Sequence, residues 1–195
     1  MKTFNKVTSI ALLVASSVFA SPKTYNADLS HSEIGFKVKH MVISTTSGQF
    51  DKFESKIVWD EENVKNSNME VTLQVGSVNT NDEKRDQHLR ADDFFDAAKY
   101  PTIHFKSEKV EKNGNDFIVT GKLTIKDVTK EIKIPFTASK EIKDPWGMAR
   151  MGLEGEFTIN RKDYNINFGS VMDNGGLVVS EDVKLEIAVE AVRKP

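Results

Sequence analysis

A period-two alternation of apolar and polar residues runs through most of the chain and sharply limits what it can fold into. Ile34, Phe36 and Val38 alternate with Gly35, Lys37 and Lys39, and Met69, Val71, Leu73 and Val75 alternate with Glu70, Thr72, Gln74 and Gly76. The pattern returns at Phe117, Val119, Gly121, Leu123 and Ile125, and at Ile132, Ile134, Phe136 and Ala138. It appears again at Met151, Leu153, Gly155, Phe157 and Ile159, and finally at Val183, Leu185, Ile187 and Val189. Successive strand residues point to opposite faces, so each stretch reads as a strand with one face in a core and one in water. Such strands must cover their apolar faces with a second sheet or by closing on themselves. Alternation does not separate a sandwich from a barrel. It does weigh against an outer-membrane barrel, because Phe36, Phe50, Phe105, Phe136 and Phe157 are spread along the apolar faces rather than banded at strand ends.

Turn residues punctuate the strands: Asn113-Gly114, Lys126-Asp127 and Asp173-Asn174-Gly175-Gly176. With 195 residues, 38% of them hydrophobic, and no Pro/Gly-rich linker or internal repeat, the chain reads as one domain with a substantial core. Residues 1–20 carry Lys2 and Lys6, an apolar run over Ile10–Val14 and the small-residue end Val18-Phe19-Ala20. This is the pattern of a cleaved secretory signal, leaving a mature domain over 21–195 and predicting export. Its apolar run is short of the roughly 20 residues a membrane span needs. Removing the leader reduces the 27 basic side chains by two, to 25 against 29 acidic ones, which argues against a nucleic-acid partner. The chain has no cysteine, which excludes thiol chemistry and a cysteine-linked lipid anchor.

One segment breaks the strand pattern. Thr80 stands three residues before Glu83, the spacing of a capping box, and predicts a short helix from about Asn81 to Arg90. On it Asp86 and Arg90 are spaced to pair, and Arg85, His88, Leu89 and Asp92 share a face. Phe94 and Phe95 follow, and Tyr100-Pro101 forces an extended backbone into Ile103 and Phe105. The segment reads as a lid over an apolar interior.

The runs Arg85-Asp86-Gln87-His88-Leu89, Asp93-Phe94-Phe95-Asp96, Tyr100-Pro101 and Phe105-Lys106-Ser107 resemble those of the YceI-like family of lipocalin-like, polyisoprenoid-binding periplasmic proteins. So do His31-Ser32, Gly48-Gln49-Phe50, Gly121-Lys122-Leu123-Thr124-Ile125 and Ile159-Asn160-Arg161, in the same order. The resemblance implies an all-β fold: an antiparallel barrel of about eight strands, with the short helix of residues 81–90 near its mouth. Asp127 and Asn165 stand where the family favours glycine, and both tolerate a left-handed backbone.

For a barrel of this kind the predicted apolar lining is Phe36, Val38, Phe50, Leu73, Val75, Phe105, Leu123, Phe136, Leu153 and Phe157. Arg85, His88 and Arg161 are the candidates for a polar head group, since a guanidinium binds phosphate bidentately. Each also has a structural reading; Arg161, for instance, is placed to pair with Asp163. His88 with Asp92 has general-base spacing, but no serine elbow or thiol accompanies it, so no catalytic residue is assigned. His31, His40, His88 and His104 show no HxH or HxxxH spacing, so no metal is expected. The expected function is sequestration or transport of a long-chain isoprenoid or similar amphiphilic lipid, held non-covalently with no other cofactor. The competing readings are an enzyme acting on such a lipid and an envelope interaction protein associated with a quinone-linked membrane redox component. Transient contact with a membrane or envelope protein fits any of the three.

Overall fold

The alternating stretches become the inner faces of one antiparallel sheet that closes on itself. The computed structural model describes residues 21–194 except Ser170 and Asn174, so the leader expected over 1–20 lies outside the described residues. The strands are β1 (Lys23–Ala27), β2 (Glu33–His40), β3 (Ser44–Phe50), β4 (Phe53–Trp59), β5 (Asn68–Gln74) and β6 (Val78–Asn79). After helix α1 (Glu83–Arg90) come β7 (Thr102–Asn113), β8 (Asp116–Ile125), β9 (Val128–Ala138), β10 (Ile142–Lys143), β11 (Ala149–Asn160) and β12 (Val179–Arg193).

These segments form eight staves. One edge of β12 pairs with β2, from Val183↔Val38 to Ala188↔Glu33, and then with β1 at Ala191↔Ala27. Thus β1 and β2 lie end to end. Beside them β3 and β4 do the same, followed by β5 with β6, then β7, β8, β9 and β11. The other edge of β12 pairs with β11 over twelve residues, from Ala149↔Arg193 to Asn160↔Asp182, and closes the ring. The seam between β9 and β11 is short, with three pairs from Phe136↔Gly155 to Ala138↔Leu153. Pro135, which has no N–H for a ladder, immediately precedes it. Outward positions such as Glu54, Lys56, Lys122, Lys184 and Glu186 are charged, the reverse of a barrel whose outer face meets lipid.

The two ends differ. At the end holding the β7–β8 turn, Trp59, Phe117 and Phe136 pack edge to face and tilted, with centroids 5.0 to 6.1 Å apart, and plug the barrel. The opposite end holds α1, the β2–β3 and β8–β9 turns and the 3-10 turn Arg161–Tyr164. On the wall leading there, Phe36 crosses Gly48 so closely that a Cβ at Gly48 would sit 2.5 Å from the ring.

Local detail corrects several expectations. The cap of α1 is Asp82, whose carboxylate accepts the Arg85 N–H, rather than Thr80. Asn81 takes φ +59, and Thr80 is buried instead, donating its hydroxyl (2.6 Å) and its N–H (2.8 Å) to Asp86. With Asp86 engaged there, Arg90 reaches Glu83 at 3.6 Å and the Val78 carbonyl rather than Asp86. The helix ends at Ala91, so His88 bonds Asp93 (2.8 Å), not Asp92. Asn165 is left-handed as expected (φ +59), but in the β8–β9 turn the left-handed residue is Lys126 (φ +55) and not Asp127.

Arg150 on β11 ties the plugged end together, donating to Asp144 (2.7 Å), Asp28 (2.8 Å) and Glu190. Hydrogen bonds from Ser30, Arg150 and His31 hold the Asp28 carboxyl far below its ordinary value, and Arg150 lowers that of Asp144. A depressed folded-state pKa contributes stability above the unfolded value and loses it as pH falls. Thermal melts should therefore show Tm dropping below about pH 4. Asp144→Asn should lower Tm at pH 7 and flatten that drop, and an unchanged pH profile would contradict the assignment.

Candidate functional site

Because eight staves set the circumference, the inward side chains do not meet across the axis, and a cavity of about 210 Å³ remains. Phe36, Val38, Phe50, Leu73, Phe105, Leu123, Phe136, Leu153 and Phe157 all lie on its wall. Val75 does not. It is buried within the 3-10 turn Val75–Ser77, which breaks the period-two phase of β5 and turns the residue away from the axis. The lid adds Leu89, Phe94 and Phe95, and the segment after the Arg161 turn adds Ile166. Phe95 packs on Phe50 at 5.9 Å and Phe50 on Phe36 at 6.0 Å, so aromatic contacts run from lid to wall. No spacing rule identifies Ile166, which sits in an irregular segment.

Of the three polar candidates, Arg161 alone is on the cavity wall. It is almost fully buried. Its Nε donates to the Ser180 carbonyl (2.9 Å), Nη1 to that of Ile166 (2.7 Å) and Nη2 to that of Val179 (3.1 Å). The expected pair with Asp163 does not form, because Asp163 turns outward to Lys130 at 3.2 Å. No carboxylate among the described residues lies within ion-pair distance of the guanidinium. Burial lowers its pKa and the field of Glu181 partly opposes that shift. A buried cation held by carbonyl dipoles is a site where a bound anion gains strongly.

Arg85 and His88 are half-exposed and stand outside the wall. Arg85 donates to the hydroxyl (2.8 Å) and the carbonyl (2.9 Å) of Thr80, fixing the start of the helix. His88 packs edge to face against Phe94 and Phe168, at 4.9 and 4.7 Å, which themselves pack on each other at 4.6 Å, and it bonds Asp93. The other histidines are dispersed. His104 bonds Glu70 (3.0 Å) across the outer faces of β7 and β5, and His40 pairs with Val179 at the mouth. His31, Asp28 and Glu190 are the trio of metal-type ligands among the described residues, but Arg150 donates to both carboxylates and already supplies their positive charge.

The fold agrees with what the chain is similar to. The YceI-like domain family matches residues 25–191. The chain belongs to the YceI-like family. A UPF0312 protein of Pectobacterium atrosepticum is 37% identical over 99% of this chain and 98% of its own length. Among solved structures, BcnA of Burkholderia cenocepacia superposes with a TM-score of 0.75 at 25% identity, over 86% of this chain and 99% of that one. A polyisoprenoid binding domain from Saccharophagus degradans shares the fold at 17% identity, with a TM-score of 0.61 over 86% of this chain and 97% of that one.

This YceI-like cavity makes strand parity measurable. Leu73→Glu places a carboxylate on the apolar wall and should cost several kcal/mol in chemical denaturation. Thr72→Glu, on the outer face opposite His104, should cost about 1 kcal/mol or less. Equal costs would show that the inner and outer faces are wrongly assigned.

Proposed function

We propose that this YceI-like protein is an exported, periplasmic carrier that holds a long-chain isoprenoid-type amphiphile in the barrel without transforming it. The observation that carries the reading is the cavity itself: an apolar interior whose buried cation, Arg161, has no bonded counter-charge among the described residues. An apolar chain gains about 0.8 kcal/mol for each CH₂ removed from water, before ordering costs are subtracted. A phosphate or similar anionic head group would offset the cost of burying Arg161. The polyisoprenoid binding description of the Saccharophagus degradans domain, which shares the fold, supports this ligand class. The carrier role rather than a reaction is supported by the lid's imidazole–carboxylate pair, His88 and Asp93, lying outside the cavity wall. Export rests on the leader pattern of residues 1–20.

Mass spectrometry of organic extracts from the natively purified protein should recover an isoprenoid-type lipid; a preparation carrying none that also fails to bind an added one would refute the reading. With lipid in hand, Arg161→Gln should weaken retention of a phosphorylated isoprenoid relative to its alcohol by roughly 1.5 to 3 kcal/mol. Arg85→Ala should affect the two lipids alike. Equal loss of both lipids in Arg161→Gln would remove Arg161 from head-group binding. N-terminal sequencing of the fractionated protein should read from Ser21 in a periplasmic extract, and an intact Met1 in the cytoplasm would rule out export.

A further inference from the structure

The β2–β3 hairpin ends in Met41-Val42-Ile43, and this tip is costly in two independent ways. Its side chains face water: Val42 is 66% and Ile43 85% exposed. Its backbone is also unfavourable, with Met41 at φ +50 and Val42 at φ +66. The left-handed region suits Gly, Asn and Asp; a β-branched residue is a genuine outlier there. Neither cost is offset within the barrel, because nothing in the described structure covers these side chains. Strain and exposed apolar surface that coincide at one spot are characteristic of a functional contact.

The position of the tip indicates what covers it. Val38 and Val179 are on the cavity wall, and His40, the residue before the tip, pairs with Val179. The Met41 N–H donates to the Val178 carbonyl (2.9 Å), which fastens the tip to the loop bearing Val171, itself 67% exposed. The tip therefore sits at the rim of the cavity, one residue beyond the His40–Val179 pair. Lys39, two residues before the tip on the outward face, is exposed and has no ion pair among the described residues, so it can meet an anionic lipid head group. The other exposed apolar pair, Ile142 and Trp146, belongs to the plugged end.

We propose that Met41-Val42-Ile43 is a membrane anchor that enters the head-group and upper acyl region of a bilayer and seats the cavity mouth on lipid, so that cargo passes between barrel and membrane without crossing water. The proposal rests on the lipid-carrier reading for its purpose, but the docking itself is measured separately.

The test is flotation of the purified protein with vesicles of phosphatidylethanolamine and phosphatidylglycerol. The parent should float with the vesicles. Ile43→Ser, at a residue outside the left-handed region, should reduce the bound fraction at least fivefold while leaving Tm and lipid retention unchanged. Val42→Asn should reduce it similarly and raise Tm, because asparagine accepts the left-handed backbone that valine resists. The double variant Ile142→Asn, Trp146→Ser should float as the parent does. The proposal is overturned if the parent fails to float, including the case where the tip instead binds a protein, if Ile43→Ser floats like the parent, or if the closed-end variant is the one that detaches. A parent that floats but carries no lipid would sustain the docking and sink the carrier reading; a parent that carries lipid but does not float would do the reverse.

Discussion

Closure through β12 is the constraint on which the remaining structure depends. This one strand gives its backbone donors and acceptors to β11 on one side and to β2 and β1 on the other, so the first and last staves of the meander are joined. Without that junction the sheet would expose two unpaired edges and an apolar face. With it, the eight-stave circumference is fixed, and a circumference of that size separates the inner side chains from one another. The cavity is thus a consequence of hydrogen-bond topology and not of any particular side chain being small. It follows that wall substitutions between apolar residues should alter the shape of the interior more readily than its existence.

The two ends divide the work. At one, bulky rings and the Arg150 network join β1, β11, β12 and the loop before β11 into a stopper. At the other, a short helix capped by Asp82 and anchored by the buried Thr80–Asp86 contact lays Leu89, Phe94 and Phe95 over the opening, and Arg161 is folded into the wall. Polar groups at the mouth are thereby sorted. Arg85 and His88 stabilise the lid, whereas the hydrogen bonds of Arg161 go to carbonyls, and no described carboxylate neutralises its charge. That separation arises from the 3-10 turn after β11, which swings Asp163 outward and Arg161 inward.

The parts of this architecture that follow from periodicity were legible in the sequence. Inner-face residues of β2, β5, β8, β9, β11 and β12 can be named from alternation, and nine of the ten proposed lining residues stand on the wall. What failed was local. Thr80 has a capping-box spacing, but its hydroxyl is worth more buried against Asp86 than exposed at a helix start. Val75 continues an alternating run that the backbone abandons for a 3-10 turn. The polar stretch Ser44-Thr45-Thr46-Ser47-Gly48-Gln49 gives no apolar rhythm, so β3 is recognisable only through its pairing with β2. Arg161 was a reasonable candidate from its chemistry, yet its burial without Asp163 depends on tertiary packing that sequence spacing does not encode. The resemblance supplied the choice of barrel over sandwich, which alternation leaves open.

The seam between β9 and β11 bears on the interior in a way a resting volume does not capture. It is held by three pairs, against five between β5 and β7 and twelve between β11 and β12. Thermal fluctuations of a closed wall concentrate where the fewest rungs must break together. The barrel is therefore less a uniform tube than a rolled sheet with one lightly stitched edge, a line beside Phe157 and Ile132 where opening would cost the fewest backbone hydrogen bonds. Any change in the girth of the interior would break the fewest rungs along that stitch.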